Sequence, residues 1–381
     1  MRFTSLVLKN LTRRRFRTAL TLAALSLAVA SVVSLRGIAK GFTRSFAGIY
    51  ESHAVDVVVS RQGTADRVSS SIAESSSQKI ESVTGVDRAD GVLLETLSLE
   101  DQQIYGIPTM GIAQGSWLRD DFQWLDQPAE KVDKESNETL AGVLSLGVNL
   151  ADRAGLQAGD TVNLFEEPYR VSGIFESASV WENGALLMPL RQLQTLTDRS
   201  GQVTYINVVL DRDVQSQQAE EVLRAIEAID PKLNALATEM FVETDTRMKL
   251  ASAMAWMTSM IALAIGAVST LNTMMTSVLE RTREIGVLRA VGWSRRRVTW
   301  MILCESLLLA ILATLVGGCL AWLATNAMSR HPVVRGILVP SVDGGCLVEG
   351  AVLAVLIGLA GAMLPARRAA SIMPSEAIRS I

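Results

Sequence analysis

Apolar positions gather in four long runs, residues 18–35, 250–278, 298–328 and 345–364, and elsewhere recur at shorter periods. A hydrocarbon core of ~30 Å is crossed by about 20 helical residues at ~1.5 Å each, and no water is present there to satisfy a backbone amide outside a helix or closed barrel. Each run therefore predicts a membrane-crossing helix. The first is free of charge, the third contains one acid, Glu305, and the fourth carries Glu349 near its start. Arg13, Arg14, Arg15 and Arg17 ahead of the first run resemble the charged start of a secretory signal. The apolar part is longer than a signal's core, however, and no small-x-small cleavage site leads into a polar stretch, so the run reads as a retained span.

Between the first and second runs the period changes. Ile38, Phe42, Phe46 and Ile49 keep a helical rhythm beyond the first run, as does the stretch before the second, so both helices are expected to extend outward as a stalk. Further on, alternating or continuous apolar segments predict strands at 55–59, 92–99, 161–165, 169–175, 185–188 and 205–210, with helices near 70–82, 146–154, 190–197 and 215–229. This is an α+β domain, expected as two subdomains with the second at about 139–200. Gly155 and Gly159, just before Asp160, read as turn chemistry rather than a phosphate cradle, and Glu166-Glu167-Pro168 as a hairpin turn. Residues 114–137, with Trp117 and Trp124, show no period and read as irregular.

Charge sharpens the division. The formal net charge is -3, but residues 41–245 hold 33 acidic against 15 basic side chains, while the remainder holds 6 against 21. Lys and Arg in short flanking segments are retained in the cytoplasm. Arg2, Lys9 and the arginines at 13–17, the link from Arg281 to Arg297, and Arg367, Arg368 and Arg379 in the tail all belong there on this rule. The division expected is a cytoplasmic segment 1–17, spans at 18–40, 246–279, 298–328 and 345–365, an extracytoplasmic domain at 41–245, a cytoplasmic coupling helix at 280–297, an outer loop at 329–344 and a cytoplasmic tail at 366–381.

The chemistry-bearing residues exclude several classes. His53 and His331 are the only histidines, and Cys304, Cys319 and Cys346 lie in or beside apolar runs, so neither a thiolate zinc site nor an H-E-x-x-H helix can be built. No G-x-x-x-x-G-K-[ST] occurs, so no Walker A loop on this sequence holds ATP phosphates. No serine-nucleophile elbow is recognisable. Neither histidine is assigned a role.

The link between the second and third spans carries the sharpest pattern. Ile285, Leu288 and Val291 recur at helical spacing as an apolar stripe, flanked by Arg283, Glu284 and Arg289, and Gly292 is placed to end the helix. From physics alone the stripe could dock a partner or lie on a lipid surface. Glu305, two turns into the third span, has two readings of equal weight: a carboxylate facing the bundle interior, or one paired with an arginine such as Arg297. Gly317, Gly318, Gly350, Gly358 and Gly361 are placed for close helix approach.

Asn272-Thr273-Met274 followed by Ser277-Val278-Leu279-Glu280-Arg281-Thr282-Arg283-Glu284-Ile285-Gly286 and Leu288-Arg289-Ala290-Val291-Gly292 resembles the signature of the MacB-like and FtsX-like permease family. The tail from Leu364-Pro365-Ala366-Arg367-Arg368-Ala369 to Pro374-Ser375-Glu376-Ala377-Ile378-Arg379, and the start at Leu8-Lys9-Asn10-Leu11, are similar too, with Ile378 where the family has leucine. The resemblance implies an α-helical membrane protein with four transmembrane helices and a large α+β extracytoplasmic domain between helices 1 and 2. It further implies a non-catalytic permease subunit of a type VII ABC transporter in a bacterial inner membrane, exporting or extracting an amphiphilic substrate by mechanotransmission. Its partners would be two copies of an ATP-binding subunit, which hold the ATP and Mg while this chain holds no cofactor, a second permease as homodimer or close relative, membrane lipids and a periplasmic adaptor, with no nucleic acid. Docking falls to Glu284, Ile285, Leu288, Arg289, Val291 and Gly292, with Ile285, Leu288 and Val291 as the buried contacts. The alternative within the resemblance is an FtsX-like scaffold that activates a cell-envelope hydrolase.

Overall fold

The computed structural model describes residues 15–63, 70–126, 140–330 and 341–373. His331, most of the outer loop, part of the irregular segment and the tail motif from Pro374 lie outside the described residues. The described residues begin with α1 (Arg15–Glu51). A mixed region follows: β1 (Val57–Arg61), β2 (Ile72–Ala73), α2 (Ser76–Glu81), β3 (Val86–Leu99), β4 (Ile104–Ile112), β5 (Gln123–Trp124), β6 (Gly142–Gly147), α3 (Val148–Ala154) and β7 (Thr161–Leu164). It continues through β8 (Glu167–Glu176), α4 (Val180–Asn183), β9 (Leu186–Pro189), α5 (Leu190–Leu196), β10 (Gln202–Val203), β11 (Tyr205–Leu210), α6 (Ser216–Ile229), β12 (Leu233–Ala237) and α7 (Thr238–Thr244). Four helices close the described chain: α8 (Thr246–Glu280), α9 (Thr282–Ala290), α10 (Arg295–Ser329) and α11 (Gly344–Ser371).

Helices α1, α8, α10 and α11 are long and apolar enough to cross a membrane. With the α+β domain inserted between the first two, this is the architecture the sequence predicts. Two compact units divide the chain, one of residues 1–40, 251–328 and 340–381, the other of residues 41–250 and 329–339.

In the helical unit, small residues let backbones approach. A Cβ at Gly317 of α10 would sit 2.6 Å from the Ser26 carbonyl oxygen of α1, and one at Gly350 of α11 would sit 2.6 Å from Val33 Cγ2. Ser306 Oγ of α10 donates to the Gly358 carbonyl of α11 at 2.6 Å. One apolar cluster joins Met274 and Val278 of α8, Ile285 of α9, Val298, Met301, Ile302 and Leu309 of α10, and Ala362, Ala366 and Ala369 of α11.

In the other unit one sheet runs in the order β12-β1-β11-β3-β4-β9-β6-β8-β5, with β7 beside β8. Its pairs are antiparallel except β4 with β9 and β6 with β8. Side chains alternate across it as a pleat requires. Val57, Val59, Leu93 and Leu97 enter the core under α2, α5 and α6, while Val58 and Val92 enter the opposite core, built on Tyr50, Phe122, Phe175 and Phe241. The stretch expected as a second subdomain supplies β6 to β9 to this same sheet, joined to the rest through the β4–β9 ladder.

Several elements differ from the expectation. Strands β2, β4, β6, β10 and β12 lie outside the expected strands, and β2 falls in the stretch expected as the helix near 70–82, which is helical only over Ser76–Glu81. In β4, Gly106, Pro108 and Gly111 mask the strand pattern, and the proline is tolerated because pairing with β9 begins only at Thr109. The expected helix at 146–154 starts at Val148, since Leu146 and Gly147 finish β6. The hairpin turn sits at Phe165 (φ 51°) and Glu166 (φ 65°), and Glu167 already begins β8. The irregular 114–137 segment contains one helical turn, Trp117–Arg119, and β5.

Candidate functional site

The link between α8 and α10 is built from its ends inward. Glu280 closes α8, Arg281 breaks the helix at φ −108° and ψ 15°, and α9 restarts at Thr282 with Glu284 in its first turn, where a negative charge suits the helix dipole. At the other end Gly292 adopts φ 102°, a conformation side chains resist. Its N–H reaches the Arg289 carbonyl at 3.1 Å, and the Trp293 N–H reaches the Leu288 carbonyl at 3.0 Å, which together form a Schellman closure. Ser294 Oγ then accepts from Arg297 N at 3.3 Å and starts α10.

Two anchors hold α9 in the helical unit. Ile285 is 1% exposed and belongs to a buried cluster with Met274, Val278, Val298 and Ala366, against which Leu288 and Trp293 pack. The second is ionic: the Arg281 guanidinium lies 3.1 and 3.2 Å from the two carboxylate oxygens of Glu305 and 3.3 Å from Glu284. Glu305 and Arg281 are both buried, where each charge is compensated by the other. Glu305 therefore has the paired reading, with Arg281 in place of the expected Arg297.

The predicted stripe does not lie on one face. Steps of 100° per residue place Val291 about 120° around the axis from Ile285, and the structure has Ile285 facing its own core while Val291 is 77% exposed at the helix end. Leu288 is half-buried between them. Val287 is exposed, and with Arg281, Arg283, Glu284, Ile285 and Leu288 it lines an open groove of about 410 Å³. Arg289 Nη1 bonds the Trp293 carbonyl at 3.2 Å, bracing the closing turn. Of the residues picked out as docking contacts, Ile285 is thus an internal anchor, and Val287 is an exposed neighbour that periodicity passed over.

At the far end of the spans, Arg36 of α1 pairs with Glu349 of α11 and lies 4.3 Å from the Trp256 ring centre of α8. Lys40 pairs with Asp343, whose other oxygen caps α11 through the Cys346 N–H at 3.0 Å. The Lys40 hydrogen bond and then the Cys346 amide hold the Asp343 carboxyl well below the usual carboxylate range.

The mixed unit holds a cluster that sequence reasoning missed. His53, 4% exposed, has Nδ1 2.8 Å from Asp121 Oδ2 and Nε2 2.9 Å from Glu182 Oε1. Glu182 is buried too, and accepts from Ser52 Oγ at 3.3 Å and from Ser177 Oγ. Both ring nitrogens are engaged by carboxylates, which leaves none for activating a hydroxyl. The partners stand 68 and 129 residues from His53, so spacing gave no signal.

Residues 18–226 match the MacB-like periplasmic core domain, and residues 256–374 match the FtsX-like permease C-terminal family. The macrolide export ATP-binding/permease protein MacB of Shewanella sp. strain ANA-3 is 25% identical over 404 residues, covering 98% of this chain and 60% of that protein. An uncharacterized ABC transporter permease of Methanocaldococcus jannaschii is 23% identical over 287 residues, covering 73% of this chain and 68% of its own length. The solved periplasmic region of MacB from Actinobacillus actinomycetemcomitans is similar over 51% of this chain and 94% of its own, at 15% identity and a TM-score of 0.36. The chain thus spans about 60% of the length of the Shewanella MacB relative.

Proposed function

The chain belongs to the MacB-like and FtsX-like ABC transporter permease family, and on that premise we propose that it is the permease subunit of an exporter whose ATP is hydrolysed by a partner subunit. Two such ATPases dock beneath a permease dimer, and their closure moves the spans and then the periplasmic domain. Both termini and α9 lie in the cytoplasm, as the arginine-rich flanks of the spans favour. The match over 18–226 to a MacB-like core favours transport over envelope signalling.

The observation that carries this reading is the mounting of α9. Ile285 and the Arg281–Glu305 pair tie it to α8, α10 and α11, while Val287, Val291 and Arg283 stay on its outer side. A partner gripping that side moves three spans at once. Glu305, the one acid of α10, is spent on this anchor rather than on a polar path through the helices. An amphiphilic substrate handled at the outer leaflet or periplasmic domain fits such a bundle, and an adaptor beyond it would receive the cargo.

Val287→Asp sets a carboxylate in the docking side without touching the core. In nanodiscs with the partner ATPase, it should weaken docking about tenfold or more, equivalent to ~1.4 kcal/mol, and remove the permease-dependent part of ATP turnover. Unaltered docking and turnover would remove α9 from this role.

A further inference from the structure

The His53 cluster lies outside everything assigned to docking, and facing two ionised carboxylates its geometry makes a demand that only the doubly protonated ring meets. An ionised carboxylate accepts hydrogen bonds and donates none, whereas a neutral imidazole has one N–H and one lone pair. With carboxylate oxygens 2.8 Å from Nδ1 and 2.9 Å from Nε2, a neutral ring would turn a lone pair toward one of them. The doubly protonated ring satisfies both.

The ring also sits at a junction. α1 ends at Glu51, and the Val55 N–H returns to the Tyr50 carbonyl at 3.0 Å through Ala54 in a left-handed conformation (φ 48°), which turns the chain so that His53 projects from the helix end. Asp121 comes from the turn after Trp117–Arg119 and Glu182 from α4. Ser179, ahead of α4, donates to the Ser45 carbonyl of α1 at 3.4 Å. Trp117 and Phe122 meet the ring edge-on at 6.2 and 5.2 Å and restrict water.

We propose that His53 is a pH-sensitive latch: doubly protonated, it pins the outer end of α1 to the Asp121 turn and to α4, and on losing a proton it loosens all three.

The electrostatics agree with the geometry. Burial pulls the imidazole down, but the hydrogen bonds and charges of Glu182 and Asp121 outweigh it, and the net shift is upward from the ordinary histidine value. The surrounding elements also carry Glu51, Arg119, Asp120, Glu176 and Tyr205. Burial, and then the Glu182 charge, push the Tyr205 phenol far above its usual range, so it stays protonated and does not compete. A raised folded-state value means that the stabilisation is complete below the unfolded histidine value of ~6.5 and is lost as pH rises through the folded one.

The test uses the full chain in nanodiscs with ring-labelled histidine, His331→Gln serving to assign the two signals. His53 should titrate above ~6.5, and the thermal midpoint of the periplasmic domain should fall by several degrees between about pH 6 and pH 9. His53→Gln should flatten that profile. Should His53→Gln fail to fold, Asp121→Asn, at a side chain 40% exposed, keeps the ring and should lower its titration midpoint. A ring titrating at or below ~6.5, a wild-type pH profile in His53→Gln, or a midpoint unmoved by Asp121→Asn would each overturn the latch. None of these readouts depends on transport.

Discussion

The helical unit and the periplasmic domain fill their interiors by opposite means. In the helices, contact is made by what is missing: Gly317, Gly350, Ala362 and Ala366 are buried where neighbours come close, while Leu315, Ile265 and Met257 face outward. In the domain, bulk does the work, with Phe175, Tyr50, Phe241 and Leu93 fully enclosed. The contrast follows from solvent. Lipid tails are as apolar as leucine, so burying leucine between spans gains little and close backbone approach gains more. Water on the domain's surface makes each enclosed aromatic ring a large stabilising term.

Three substitutions test that contrast. Phe175→Ala empties a site against Phe122 and Trp124, and should cost the domain ~3–5 kcal/mol, read as a lowered urea midpoint by tryptophan fluorescence. A cost under ~1 kcal/mol would mean the aromatic core is not what holds the domain. Gly317→Leu tests the other side: with Ser26 and Val29 in the way, it should destabilise the helices by ~1–3 kcal/mol in detergent-mixture unfolding and leave the urea midpoint of the domain alone. An indifferent bundle would show that α1 and α10 do not pack as described. Smallest of all should be Glu220→Gln, which removes an exposed pair with Arg224 at 3.4 Å on α6; a change beyond ~0.5 kcal/mol would mean that charge on the acidic surface acts collectively.

The same contrast explains what was legible in the sequence. Four spans and the inserted domain follow from run length and period, which backbone hydrogen bonding enforces directly. Gly292 as a helix terminator was legible because its backbone conformation excludes most other residues. The inward face of α9 was not: an apolar residue at 285 or 291 looks the same whether it meets its own core, a partner or lipid, and only the surrounding spans decide. Arg297 was the natural partner for Glu305 by distance along one helix, yet Arg281 wins because the break before α9 delivers its side chain to α10 from another element. His53 was unreadable for a related reason, since its two carboxylates arrive from separate parts of the domain. Strand β4 was lost to its own glycines and proline, which only neighbouring strands make tolerable.

The Arg281–Glu305 pair has an evolutionary corollary. Removing Arg281 takes from the buried Glu305 both of its guanidinium hydrogen bonds, and removing Glu305 leaves the buried Arg281 with Glu284, so either single change is costly, up to ~3–5 kcal/mol, whereas exchanging both for apolar groups of similar size is close to neutral. Drift at these positions must therefore pass through paired changes, and related chains should carry either the salt pair or two oily residues, with mixed combinations missing.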